Sequence, residues 1–196
     1  MKAFPRVAAA PSLGQGALWH FSREHVVDPE LTLVFYRLYE AAFAPLRVRS
    51  VARQALNESE FAAQMTNGEV VKYVAWDLAG NPVGMCALTR QLGSVPWISP
   101  DYFAHRFPQH WARNAVWYLN FVLVHPSHRH GRFIDQLMEV GVGELVDQGA
   151  VCAYDMCAYN DEVMGLGRRL AERFQRTTGA TPQLVDTQNY YEVRFS

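Results

Sequence analysis

The stretch Trp117-Tyr118-Leu119-Asn120-Phe121-Val122-Leu123-Val124-His125-Pro126-Ser127-His128-Arg129-His130-Gly131-Arg132-Phe133-Ile134-Asp135-Gln136-Leu137-Met138 contains the longest apolar run of the chain, a stop and a second pattern. Ala115 to His125 is apolar enough to be a central strand covered on both faces. Pro126 ends it, since proline donates no ladder hydrogen bond. Gly131 or Arg132 then opens a helix whose stripe is Ile134, Leu137, Met138, Gly141, Leu145 and Val146. A strand running through a basic loop into a helix N-terminus offers unpaired N–H groups and a partial positive charge, which suit a phosphate. Arg129 and Arg132 add guanidinium forks, with His128 and His130 as further donors. Two arginines at a helix N-terminus are misplaced for the helix alone, and that favours an anionic ligand.

Outward from this stretch, the pattern is mixed. Upstream, Ala17–Arg23 reads as a strand and Asp28-Pro29 caps a helix to about Phe43. Asn57-Glu58-Ser59-Glu60 carries a capping box opening a second helix. Val70–Asp77, the turn Ala79-Gly80-Asn81-Pro82 and Val83–Arg90 form an antiparallel hairpin. Ser99-Pro100-Asp101 caps a short helix. Downstream, Ala150–Tyr159 reads as a strand carrying Cys152 and Cys157 on opposite faces, Asp161–Arg176 as a helix, and Leu184–Asp186 and Tyr190–Phe195 as final strands. Hairpin strands followed by a β-α-β crossover imply an α/β fold, with a mixed, mostly antiparallel central sheet flanked by helices on both faces. Residues 1–16 read as a loose arm and 17–196 as a single domain.

Composition bounds the function. The chain has 196 residues, 49% hydrophobic and 19% charged, which is a globular composition. A formal net charge of −1 provides no global field for nucleic acid or anionic lipid. The N-terminus is a poor signal peptide and no run is long enough to span a bilayer, so a cytoplasmic protein without membrane or nucleic-acid partners is expected. Three cysteines without C-x-x-C spacing argue against a disulfide framework. His125, His128 and His130 fit no standard zinc spacing, so no metal is expected.

The segment Val124-His125-Pro126-Ser127-His128-Arg129 resembles the V-x-P-x-x-R segment of the GNAT acyltransferases, and the order of elements matches that family over most of the chain after residue 17. The resemblance implies an N-acyltransferase that moves an acyl group from a thioester, acyl-coenzyme A or an acyl-carrier protein, to an amine of a small molecule or peptide. It implies that Val122, Leu123 and Val124 supply backbone N–H groups to the thioester and pantetheine arm, that Arg129, His130, Gly131 and Arg132 hold the carrier phosphates, and that Asn160 opens the following helix. The family's general base falls at Tyr118 or Asn120, with His125 and Asp155 as the nearest titratable alternatives. A homodimer is compatible with this reading.

Two departures stand against the family pattern. Its R-x-x-G-x-G/A continuation has Arg132 and Ile134 at the two small positions, leaving Gly131 as the sole glycine of the loop. Its tyrosine on the last long helix should fall near Gly167 or Arg168, and none is there. These departures keep two alternatives open: a non-catalytic small-molecule sensor or binding module, and an enzyme of this fold recruited to another reaction. The aromatic stretch Trp97–Trp111 reads equally as a pocket roof or as a satellite cluster packing a long loop onto the sheet.

Overall fold

The computed structural model describes residues 19–128 and 133–195. Its chain contacts divide it into two compact units, one of residues 19–42 and Leu56–Tyr154, the other of Phe43–Ala55 and residues 155–195.

The first unit is built on a five-stranded sheet in the order β1 (Trp19–Glu24), β2 (Val70–Asp77), β3 (Pro82–Thr89), β4 (Val116–Val124) and β5 (Val151–Ala153). The first three pairings are antiparallel, and β4 and β5 run parallel. Helix α1 (Pro29–Phe43) and helix α2 (Glu58–Thr66) precede the hairpin. Asn57 and Glu60 cap α2 reciprocally, as the sequence predicts: the Asn57 side chain accepts from the Glu60 N–H, and the Glu60 carboxylate accepts from the Asn57 N–H at 2.8 Å. Short helices α3 (Pro100–Arg106) and α4 (Pro108–Ala112) lead into β4, and α5 (Phe133–Asp147) joins β4 to β5.

Two layers cover the sheet. Phe133, Leu137 and Leu145 of α5 pack with Tyr73, Cys86, Leu88, Trp117 and Val124 on one face. Glycine permits the close approach: a Cβ at Gly84 would lie 2.8 Å from the Phe133 ring. On the other face Phe121 meets Tyr39 of α1 and Phe61 of α2, with ring centroids 5.2 and 5.8 Å apart. Mixed pairing with helices on both faces is the architecture expected from the sequence.

Strand β4 does not alternate strictly. Trp117 and Leu119 belong to the α5 face, and so do Val122 and Val124, although the two pairs have opposite parity. The ladder accounts for this. Ala87 pairs with Phe121 while Leu88 pairs with Leu119, so Asn120 is an extra residue, a β-bulge that resets the phase.

Several expected boundaries are corrected. Strand β5 stops at Ala153 instead of Tyr159, its ladder with β4 ending at Tyr118. Cys157 therefore lies outside the strand.

In the second unit a π-helical turn (Tyr159–Val163) precedes α6 (Leu166–Thr178), in place of one helix from Asp161. Gly165, at φ 61°, breaks the continuity in a left-handed conformation that suits glycine. Leu184–Asp186 and Tyr190–Phe195 form no strands. Leu184 and Phe195 are 84% and 93% exposed, and apolar alternation alone makes no strand without an edge to pair with.

Candidate functional site

The site follows from how β4 parts from β5. Their ladder holds only for Val116, Trp117 and Tyr118, opposite Val151, Cys152 and Ala153. Beside that end the half-buried Cys152 thiol donates to the Ala153 carbonyl at 3.8 Å, and burial pushes its pKa up to about 12. Beyond Tyr118, β4 has no ladder partner on its β5 side among the described residues, and this unpaired edge is the notch.

The orientation of the β4 backbone there is fixed by its other neighbour. The His125 N–H donates to Val83 O at 2.8 Å, and the register sets Val124 opposite Gly84 and Leu123 opposite Met85. Antiparallel hydrogen-bonded and non-bonded pairs alternate. Leu123 therefore bonds toward β3, whereas Val122 and Val124 turn their N–H groups into the notch. Of the three expected backbone donors, two point there.

Asn120, at the bulge, donates its side-chain amide to Gln64 Oε1 of α2 at 2.7 Å. Its own Oδ1 is buried and has no hydrogen-bond partner among the described residues. Tyr118 is 2% exposed, and its hydroxyl accepts from Trp97 Nε1 at 3.0 Å. It packs with Leu92, Val95, Phe103 and Val116, so the buried part of the aromatic stretch is a satellite cluster on the sheet. Trp97 and Trp111 stay about half exposed, at 49% and 41%.

At the end of β4, His125 Nδ1 lies 2.6 Å from Ser127 Oγ, which lies 2.9 Å from His128 Nδ1. Because the Ser127 N–H also points at His125 Nδ1 (3.2 Å), that nitrogen is an acceptor. This ties the turn after the strand and leaves His125 exposed beside the notch.

Arg129, His130, Gly131 and Arg132 lie outside the described residues. Asp155 and Asn160 belong to the second unit, where Asn160 falls inside the π-helical turn instead of opening a helix. Gly167 and Arg168 sit in the first turn of α6. Among the described residues no group of three or more His, Cys, Asp or Glu is placed to hold a metal ion, and no helix is long and apolar enough to cross a membrane.

Gln64 carries no signal in the sequence, whereas Trp97 opens the aromatic stretch already marked there. Gln64 stands one residue before Met65 in an ordinary amphipathic helix, and nothing local marks it as the partner of a residue 56 positions later.

A sheet of this order, with a bulged fourth strand parting from the fifth and a helix crossing between them, matches the fold that the resemblance to the GNAT family implies. No family model matches the chain, and no curated protein does. Solved structures do. An aminoglycoside acetyltransferase, meta-AAC0020 from an uncultured soil metagenomic sample, in complex with sisomicin, has a TM-score of 0.53 at 12% identity, over 90% of this chain and 97% of that one. A mutant of the BH1408 protein from Bacillus halodurans has a TM-score of 0.52 at 14% identity, over 88% and 99%. Aminoglycoside N-acetyltransferase AAC(6')-Iy in complex with coenzyme A has a TM-score of 0.51 at 12% identity, over 91% and 99%. At such identities the likeness is one of fold.

Proposed function

We propose that the protein is an N-acyltransferase that transfers an acyl group from an acyl thioester, acyl-coenzyme A or an acyl-carrier protein, to an amine of a small molecule or peptide. The observation that carries this is the notch, where β5 leaves β4 after Tyr118 and the N–H groups of Val122 and Val124 face the gap. Two fixed backbone donors suit a thioester carbonyl that gains negative charge as an amine attacks it. The amine nitrogen forms the new C–N bond, the carbon–sulfur bond breaks, and the thiolate leaves with the electron pair.

Arg129, His130, Gly131 and Arg132 would hold the carrier phosphates at the start of α5 (the side-chain donors compensating for the missing glycines), with Asn160 as a further carrier contact. Asn120 would orient the acceptor, its Oδ1, buried and without a hydrogen-bond partner among the described residues, turning to accept from an amine N–H as the acceptor binds. Tyr118 has its hydroxyl engaged by Trp97, which leaves it a wall of the site. His125, exposed at the end of β4, and Asp155 are the titratable candidates for taking the amine proton. Solved acetyltransferases of this fold that bind sisomicin or coenzyme A support a small-molecule amine and a coenzyme A donor.

One observation favours the binding-module reading. Tyr118 and Asn120, at the family's base positions, provide no carboxylate or imidazole.

Thermal shift with acetyl-coenzyme A, a long-chain acyl-coenzyme A and free coenzyme A, followed by thiol release over a panel of amines, tests the proposal. Stabilisation by an acyl-coenzyme A together with amine-dependent thiol release is expected. Stabilisation without release for any amine would favour the sensor reading. No shift with any of the three would exclude coenzyme A as the carrier.

A further inference from the structure

A second recess lies at the opposite end of β4 from the notch. Arg90, Trp111, Asn114 and Val116 line a cavity of about 220 Å³. Val116 begins β4, Arg90 follows the last residue of β3, and Trp111 and Asn114 come from the end of α4 and the turn after it.

The chemistry of the lining is one-sided. The Arg90 guanidinium stacks on Trp117, 4.8 Å from the ring centroid, which occupies one of its faces. Its N–H groups lie in the guanidinium plane, and no hydrogen bond to them is present among the described residues. A carboxylate that feels its charge is already engaged. Glu144 accepts from the Tyr73 hydroxyl at 2.7 Å, from Arg23 Nε at 3.2 Å and from Gln148 at 3.2 Å. The neighbouring Arg113 is likewise taken up, by the carbonyls of Gln148 and Gly149. Arg90, exposed and stacked on Trp117, is thus a cation whose donor edge has no hydrogen-bond partner among the described residues. Beside it are an amide, Asn114, and an indole, Trp111, that is 41% exposed.

We infer that this recess is a binding site for a small aromatic carboxylate, separate from the notch. The carboxylate would take the in-plane N–H groups of Arg90, where a planar fork meets a planar anion. The Asn114 amide would donate to the same group, and the ring would lie against Trp111. The volume is below that of drug-sized pockets, about 300–1,000 Å³, and suits a single ring with its acid.

The experiment uses the full chain and four probes: benzoate, its uncharged isostere benzamide, acetate and inorganic phosphate. Each is titrated at constant ionic strength, with thermal shift and tryptophan fluorescence as readouts. Benzoate is expected to raise the melting temperature and perturb the fluorescence, with benzamide, acetate and phosphate much weaker. Arg90→Gln should weaken benzoate by roughly tenfold or more, the loss of a charge-assisted pair. Asn114→Gly, which keeps the backbone conformation at φ 55° available, should weaken it less while leaving the fold intact. Equal responses to benzoate and benzamide, or to benzoate and phosphate, would overturn the inference. So would benzoate binding unchanged in Arg90→Gln and Asn114→Gly.

Discussion

The amide of Asn120 donates to Gln64 Oε1 at 2.7 Å across 56 residues of sequence, joining α2 to the bulge of β4. The bulge resets the phase of the strand, and immediately before it the ladder to β5 ends. One hydrogen bond therefore links the helix layer to the point where the notch opens.

That bond is expected to behave as a coupled pair. Asn120→Ala and Gln64→Ala each remove one partner of a part-buried hydrogen bond, at a cost of about 1–3 kcal/mol. A double-mutant cycle by urea denaturation should return a coupling of about 1 kcal/mol. Additive losses would mean the two amides do not depend on each other. In the proposed acyl transfer, Asn120→Ala should also lower kcat by up to roughly 10², since it removes the side chain proposed to orient the acceptor amine.

Gly84 decides how closely α5 lies on the sheet. A methyl group there would meet Phe133 at 2.8 Å and the Leu123 carbonyl oxygen at 3.1 Å, and neither is the loose end of a flexible chain. Gly84→Ala is expected to cost about 1–3 kcal/mol, the range for overpacking. Gly93→Ala is the control: no atom lies within 4 Å of its added Cβ, and the change should stay within about 0.5 kcal/mol. Midpoints of urea unfolding compare them, and equal effects would remove the packing explanation.

The sequence made the order of elements legible from β1 to β5, because each start or stop depends on local chemistry: the Asn57–Glu60 box, the turn before Pro82 and the proline that ends β4. The face assignments of β4 were only half legible. Strict alternation from Trp117 predicts the wrong side for Val122 and Val124, and nothing local announces that Asn120 is an extra residue. It becomes one because Ala87 and Leu88 on another strand fix the register around it. The early end of β5 at Ala153 and the absent strands at 184–186 and 190–195 are likewise non-local, since a strand exists only where a partner edge is offered. Gln64 was invisible for the same reason.

Lys72 gives stability a pH dependence in the alkaline range. It is fully buried on β2, and its Nζ donates to the carbonyls of His25 at 2.7 Å and Asn67 at 2.8 Å. Carbonyls do not neutralise the charge, and burial lowers its pKa from 10.5 to about 8. Below pH 8 the lysine is charged in both folded and unfolded chains, and the folded state bears the burial penalty. Between about 8 and 10.5 the unfolded chain holds the proton that the folded one has released, so stability rises with pH. Lys72→Met should flatten that rise when unfolding free energy is measured from pH 7 to 10.5. A slope unchanged in the variant would place its origin elsewhere.

Arg129 and Arg132 test the reading on which the sequence turns, because two effects of opposite sign act on them. Arg132 immediately precedes Phe133, the first described residue of α5. Cations at a helix N-terminus oppose its dipole by about 0.3–1 kcal/mol each. Without ligand, Arg129→Ala with Arg132→Ala should therefore leave the melting temperature unchanged or slightly raised. With coenzyme A the same double variant should lose most of the stabilisation seen in the parent chain, because the phosphates have lost their guanidinium partners. The coenzyme A response of the parent should also shrink as salt is raised from 50 to 500 mM, as screening of a phosphate contact requires (about 10 Å at 0.1 M against 3 Å at 1 M). A double variant destabilised without ligand yet bound as tightly by coenzyme A would make these arginines structural and move the phosphate grip off this loop.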